Sequence, residues 1–438
     1  MLSSHVGVAP ASLRGLGGSV ATMNTTRNTL MALGALVAGC GGGDNKNSPD
    51  AAPDAAPIFP GGAAIPLATP DGSFYSALLG INSVNFALDI DTGSASAGIA
   101  AATCTGCPVT PLYTPGAAAV DTHTTATTQY ADGSGWSGEV ITDKVGLAHS
   151  TPEVNVSFVA ISTQMNGFFA DNSYQGILGL GPAELLEGST TSLVDAVQAA
   201  GVKPIMGFEF CSTGGTMWLG GFDATHASSA MQFTPMVPIS QQNPFYAIDI
   251  SDMGIGGTSL GFGSSTFNNP IVDTGTSLFY IPTPVDTALL AAVNNSAGFK
   301  ALFPGSTLSD NACAMGATTI TDAMVDAMLP AMSLSFPAET GGGKLTVSAS
   351  PTTSYLYQMS PGQYCFAFAD GGSGSQYFGV MGDTVLRGFV TVVDVENHRV
   401  GFGTDSGCKS GSAFAPLIAL PSRGRIHEHG HPHKRLQR

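Results

Sequence analysis

The sequence predicts an all-β fold built as two related lobes around a central cleft, and three observations carry that prediction. From Ile65 onwards, short β-branched and aromatic runs alternate with Gly, Asn, Asp and Ser turns, among them Asp71-Gly72, Asp132-Gly133 and Gly256-Gly257. Glycine supplies 57 of the 438 residues, with 43% apolar and only 11% charged, the balance of a turn-rich globular chain long enough for two domains. The tripeptide Asp-Thr-Gly occurs twice, as Asp91-Thr92-Gly93-Ser94 and Asp273-Thr274-Gly275-Thr276, each after a short apolar strand-like run. Each copy has a later apolar-glycine partner, Gly176-Ile177-Leu178-Gly179-Leu180-Gly181 for the first and Val380-Met381-Gly382-Asp383 for the second, so the two halves echo one another. Glycine there admits a strand threading close beside its own Asp-bearing loop.

Taken in order, Met23–Cys40 combines a basic start (Arg27), an apolar run from Leu30 to Val37 and Val-Ala-Gly-Cys. It looks like a bacterial lipoprotein signal, too short to span a bilayer, with Met23 as the expected start and residues 23–39 removed. Cys40 would be lipidated; the alternative is an ordinary secretory signal with an incidental cysteine. Residues 40–64 read as a Gly/Ala/Pro tether with a repeated Pro-Asp-Ala-Ala. The first lobe is expected over 65–236 and the second over 237–410. Residues 411–438 form a basic, His-rich tail without apolar periodicity, expected to be disordered. Helices are expected only at Thr191–Ala200, Thr283–Asn294 and Asp322–Leu329.

Charge narrows the partners. With 15 Lys+Arg against 31 Asp+Glu the formal net charge is −16, and five of the bases crowd the tail, which argues against nucleic acid. Few bases also leave few ion pairs to lose when carboxylates protonate, which favours tolerance of acid.

The duplicated tripeptide carries the chemistry. A carboxylate on a tight glycine turn at a strand end is exposed yet rigid, and two such turns meeting across a pseudo-two-fold force like charges together. Sharing one proton gives a general base and a general acid in one site, able to split a peptide with water and no metal.

At these residues the chain resembles the pepsin family of aspartic endopeptidases, over roughly Ile65 to Cys408. Phe245-Tyr246-Ala247-Ile248 leading to Pro270-Ile271-Val272, and Gly379 to Gly403 as closing strands, extend the resemblance. It implies the bilobal pepsin-like acid protease fold, two pseudo-two-fold-related β-barrel-like lobes, with Asp91 and Asp273 holding the attacking water. Thr92 and Thr274 would cross-bond the loops beneath, Gly93 and Gly275 would shape the turns, and Ser94 and Thr276 would donate to the outer carboxylate oxygens. Gln129-Tyr130-Ala131-Asp132-Gly133-Ser134-Gly135 matches the family's flap, with Gly133 at its turn and Tyr130 closing over an extended peptide or protein substrate. Phe168, Phe169 and Tyr174 are the expected apolar pocket walls. The alternative is a catalytically silent pepsin-fold binding or inhibitor protein, tethered at the cell surface.

Three departures stand out. Where the family has a tryptophan after the first Asp-Thr-Gly, this chain reads SASAGI, with Gly98 near that place and Trp136, on the flap, as the expected substitute. Asp89 stands two residues before Asp91, on the same strand face, where the family has an apolar pocket residue. It would either raise the dyad's proton affinity, favour basic substrate side chains, or stay solvated or capped by a neighbouring amide. No basic propeptide of the family's kind precedes the first strands.

Without Cys40, six cysteines remain, permitting fifteen pairings. The resemblance implies Cys104–Cys107, Cys211–Cys408 and Cys313–Cys365. Cys104 and Cys107 alone would also suit a redox or zinc pair, but no second such pair follows. His427-Glu428-His429-Gly430-His431 spells His-Glu-x-x-His, with Gly430 and Pro432 against the helix that motif needs, and Gly257-Thr258-Ser259-Leu260-Gly261 spells a serine-hydrolase elbow inside a hairpin. No metal or cofactor is expected. The expected protein is an exported monomer, held to a bacterial envelope by its N-terminal lipid anchor only.

Overall fold

The computed structural model describes residues 63–408 apart from 71, 73, 148–150, 171–172, 311, 340 and 375–377. Cys40, the signal, most of the tether and the His-rich tail lie outside the described residues. The chain is mostly β, as the turn-punctuated sequence requires.

The first Asp-Thr-Gly sits in a seven-stranded sheet ordered Ser76–Ile81, Val84–Asp91, Gly176–Gly179, Gly98–Ala100, Val154–Met165, Gly135–Leu147 and Val120–Gln129, and Ser76–Ile81 also pairs with Gly135–Leu147 to curl the sheet on itself. Strand alternation explains the burial in Val84–Asp91: Phe86, Leu88 and Ile90 enter the main core, leaving Asp89 and Asp91 on the other face. The second Asp-Thr-Gly follows Ile271–Val272, in a four-stranded sheet ordered Ile271–Val272, Val380–Met381, Phe279–Ile281 and Phe368–Asp370. Two further small sheets complete that half, one of them containing Met332–Pro337 and Lys344–Ala349.

A six-stranded sheet joins the halves. Its order is Ala63–Leu67, Gly214–Leu219, Ile205–Cys211, Phe389–Asp394, Arg399–Thr404 and Gln232–Pro235, so strands from near the end of the chain pair with strands from the first half. Disulfides link Cys104–Cys107, Cys211–Cys408 and Cys313–Cys365 with Cα separations of 5.8, 5.8 and 4.1 Å. Cys211–Cys408 spans 197 residues and fastens the end of the described chain to the six-stranded sheet.

Helices occur at Leu193–Ala199, Thr283–Asn295 and Asp322–Met328, within a few residues of the expected ends. Ser192 starts the first by accepting from the Asp195 amide, and Thr321 starts the third by accepting from Met324. The expected closing strands over 379–403 are present as Val380–Met381, Phe389–Asp394 and Arg399–Thr404. A short helix, Asp383–Leu386, breaks that stretch, because the Asp383 and Thr384 amides donate to Thr276 O and Ser277 O (2.8 and 2.9 Å) instead of to a strand. Ser264–Phe267 and Ala297–Leu302 are further short helices that the periodicity did not signal.

Candidate active site

The two Asp-Thr-Gly turns are built alike. Asp91 ends its strand and Asp273 follows its own, and each strand runs parallel to its apolar-glycine partner: Asp91 opposite Gly179, and Val272 opposite Met381. The Leu180 amide donates to Asp91 O at 2.7 Å, and the Asp273 amide to Met381 O at 3.0 Å. A Cβ on Gly179 would lie 2.3 Å from Ala95 C, and one on Gly382 2.3 Å from Thr276 O, so only glycine lets these strands pass so near the loops.

Each carboxylate takes two bonds from its own turn. Gly93 N donates to Asp91 Oδ1 (2.7 Å) and Ser94 Oγ to Oδ2 (2.5 Å); Gly275 N donates to Asp273 Oδ1 (2.9 Å) and Thr276 Oγ1 to Oδ2 (2.7 Å). The loops are also tied to each other. Thr92 N donates to Thr274 Oγ1 (3.1 Å) and Thr274 N to Thr92 Oγ1 (3.0 Å), while the same hydroxyls donate to Val272 O (2.8 Å) and Ile90 O (2.9 Å). The carboxylates therefore converge. A Cβ on Gly93 would lie 2.7 Å from the Asp273 carboxyl, and one on Gly275 2.5 Å from Asp91 Oδ1.

Both aspartates are buried, at 3% and 1% exposure. Burial first, and the neighbouring Asp91 charge second, hold Asp273 well above the usual carboxylate range, against the lowering effect of its bonds from Thr276 and Gly275. Two carboxyls in this geometry titrate as a pair with one shared proton over an extended pH range.

The expected flap is the hairpin of Val120–Gln129 and Gly135–Leu147. Tyr130 N donates to Ser134 O (2.8 Å), Gly133 takes φ +83°, and Asp132 accepts from the Ser134 amide. Trp136 Nε1 donates to the Tyr130 hydroxyl at 3.1 Å. The indole lies where a side chain at Gly98 would stand, with Cε2 3.4 Å from the Cβ position. Tyr130 stacks on Phe168 with ring centroids 5.8 Å apart, and Phe168 meets Phe169 and Tyr174 edge-on. These rings, with Ile177, form one buried cluster. Asp89 pairs in register with Ile177 and is 0% exposed, so it is not a solvated surface group.

Sequence reasoning missed Tyr280, whose proton affinity is raised by burial and then by Asp132 of the flap turn. It also gave no role to Asp383, a fully buried carboxylate one residue beyond the glycine of the second apolar-glycine segment. Ser259 of the elbow-like motif lies in a hairpin, donating to Asp252 at 2.6 Å, with no strand-to-helix turn.

A sequence profile described as eukaryotic aspartyl protease matches residues 74–405. The chain is 28% identical over 334 residues to an aspartic protease of Phaffia rhodozyma, covering 75% of this chain and 76% of the relative. It is 27% identical to a beta-secretase of Strongylocentrotus purpuratus (72% of this chain, 62% of the relative) and 26% identical to a gastricsin of Macaca fuscata fuscata (77% and 85%).

Proposed function

The chain belongs to the eukaryotic aspartyl protease family and is an aspartic endopeptidase, and from that premise we propose that Asp91 and Asp273 are its catalytic pair. The observation that carries this reading is the convergence of two mirrored turns, each glycine lying against the opposite carboxyl. One carboxylate takes a proton from water as the water oxygen attacks the scissile carbonyl carbon; the partner carboxyl gives its proton to the carbonyl oxygen. The resulting tetrahedral diol collapses when a hydroxyl proton returns to a carboxylate and the leaving nitrogen is protonated, so the dyad ends with the one proton it began with. Ser94 and Thr276 fix the outer oxygens, and the Thr92–Thr274 exchange fixes the spacing. The flap, with Tyr130 over the aromatic cluster, excludes water and aligns an extended peptide.

Acid-favoured cleavage follows from the raised proton affinity at Asp273: the shared proton is present at acid pH and is lost as pH rises, and activity goes with it. The expected result is that Asp91→Asn and Asp273→Asn each abolish hydrolysis of a peptide library while a pepstatin-type inhibitor blocks the parent enzyme. Full hydrolysis by either variant would refute the assignment.

The enzyme acts as an exported monomer on a bacterial envelope, anchored through a lipid on Cys40. The support is the Val-Ala-Gly-Cys sequence after a short apolar run and the Pro-Asp-Ala-Ala tether. Metabolic labelling with a fatty-acid analogue should mark the parent chain and not Cys40→Ser; equal labelling of both would exclude the anchor.

A further inference from the structure

The flap hairpin is supported along its side. Val154–Met165 runs beside Gly135–Leu147 as far as Met165 opposite Gly135, so the strand that follows the flap ends level with its turn. There Asn166 and Gly167 both take positive φ, +48° and +75°, and the Phe168 amide donates back to Met165 O at 3.3 Å. Asparagine and glycine are the residues that tolerate this left-handed backbone. The turn carries the Asn166 side chain across to the flap, where Nδ2 donates to Gly133 O at 2.6 Å. The same carbonyl takes a longer bond from Gln129 Nε2, at 3.4 Å. Phe168, next along the segment, stacks on Tyr130 with ring centroids 5.8 Å apart. The Phe169 amide donates to Gln164 Oε1 at 2.9 Å, and Gln164 Nε2 donates to Gly106 O inside the Cys104–Cys107 loop. The segment 166–169 therefore meets the flap at both its turn and its tyrosine, and is tied on its other side to a disulfide loop.

We propose that Asn166 is a positioning residue of this peptidase: it clasps the flap turn to the aromatic wall of the pocket, so that the flap and Phe168–Phe169 close on an extended peptide as one body. The inference rests on the lid role given to the flap above. A hairpin held only by its own ladder opens most easily at its tip, whereas a side chain bonded across the turn ties that tip to the strand beside it. A hydrogen bond between exposed groups contributes little to the fold, since water competes for both partners. Here the bond at Gly133 and the Tyr130–Phe168 stack are made by one short segment, so each holds the geometry of the other. Cleavage needs the lid in one place when the carbonyl is attacked, so loss of the clasp acts on kcat/KM more than on stability.

The test is kcat/KM on one chromogenic peptide for Asn166→Gly and Asn166→Asp, each taken as a ratio to the parent at the same pH, with active sites counted by titration with a tight-binding transition-state analogue. Asn166 is exposed and both replacements accept its positive φ, so the turn and the core are preserved. Asn166→Gly removes the amide and should lower kcat/KM about 2- to 10-fold at every pH. Asn166→Asp sets a carboxylate against Gly133 O at about pH 6 and should lose at least as much; protonated at about pH 3, its O–H donates to that carbonyl and activity should return toward the parent's. Asp132 is the carboxyl of the facing flap turn, accepting from the Ser134 amide at 2.8 Å, and its charge moves that recovery to higher pH without changing its direction. Glu139, Asp143 and Lys144 of the flap strand pair with Ala160, Val156 and Asn155, away from the turn. A glycine variant within about twofold of the parent, or an aspartate variant that does not recover in acid, overturns the proposal. Recovery in acid by the glycine variant overturns it as well, since that variant has no group to protonate. Tyr130→Ala separates the two readings: a large loss there with no effect of Asn166→Gly removes only the clasp, whereas a Tyr130→Ala enzyme as active as the parent removes the lid role itself.

Discussion

Replacing Trp136 by Phe tests whether the flap is closed by an indole that comes from its own returning strand. The change removes the Nε1 donor that lies 3.1 Å from the Tyr130 hydroxyl and keeps an aromatic ring over Gly98. Both side chains are about as buried as any in the molecule, at 1% exposure, so water does not readily replace the lost partner. A net loss of about 1–2 kcal/mol is expected for such a buried bond. If the bond forms only when the hairpin lies over the cleft, the closed population falls by about 5- to 30-fold, and kcat/KM with it. The assay is kcat/KM for Trp136→Phe, Tyr130→Phe and the double variant, with thermal denaturation to separate lost stability. The two single changes break the same bond, so the double variant should show a coupling of about 1 kcal/mol. Trp136→Phe within twofold of the parent, or fully additive single effects, would refute the reasoning.

Two other perturbations have outcomes fixed by the structure. Thr274→Val keeps the side-chain shape but leaves the buried Thr92 N–H and Ile90 O without the Thr274 hydroxyl, so urea denaturation should show a loss of roughly 2–5 kcal/mol, with Thr274→Ser restoring most of it; a valine variant as stable as the parent would show that the cross-bonds do not hold the loops. Asp286, on the helix Thr283–Asn295, is 6% exposed and is pushed up to about 7 by burial, then by Asp310 and Asp370. Its folded-state value is raised above the unfolded one, so its contribution is fully present below about pH 4 and is lost as pH rises to about 7. Asp286→Asn should flatten the stability profile over that window and make the protein more stable at neutral pH by roughly 2–4 kcal/mol, measured in an Asp91→Asn background to prevent self-digestion; an unchanged slope would count against the buried carboxyl.

What could be read from the sequence was local. An apolar run followed by Asp-Thr-Gly specifies a strand and a tight turn within a few residues, and the apolar-glycine segments announce close backbone approach, here to Ala95 and to Thr276. The flap was legible for the same reason, since Tyr130 to Gly135 contains its own turn chemistry. Trp136 was within reach because an aromatic was missing near Gly98 and another stood on the facing hairpin. Long-range register was not legible: nothing in Phe389–Asp394 indicates that it lies between Ile205–Cys211 and Arg399–Thr404 in a sheet shared by both halves. Helices of four residues, such as Asp383–Leu386, are too short to show periodicity. Asp383, spaced with Arg387 like a surface helical pair, gave no hint of its burial, because that is decided by the loop of Thr276 and by strands far away in sequence.

The site is symmetric in its bonds and asymmetric in its field. Asp91 and Asp273 receive matching donors, from Gly93 and Ser94 on one side and Gly275 and Thr276 on the other, and the threonines exchange matching bonds. Behind the glycine that lets each inner strand pass, however, the first half places Leu180 and the second places Asp383. Leu180 sits in the main core, 1% exposed, and is apolar; Asp383 is equally hidden and holds its proton well above the usual carboxylate range, by burial first. Asp89, buried on the Asp91 strand, is among the groups that raise Asp383, and Arg387 opposes it. Geometry of this kind sets the two turns against one another, each glycine facing the opposite carboxyl. The buried carboxylates around the pair are unequal between the halves, and the mirrored tripeptides do not encode them.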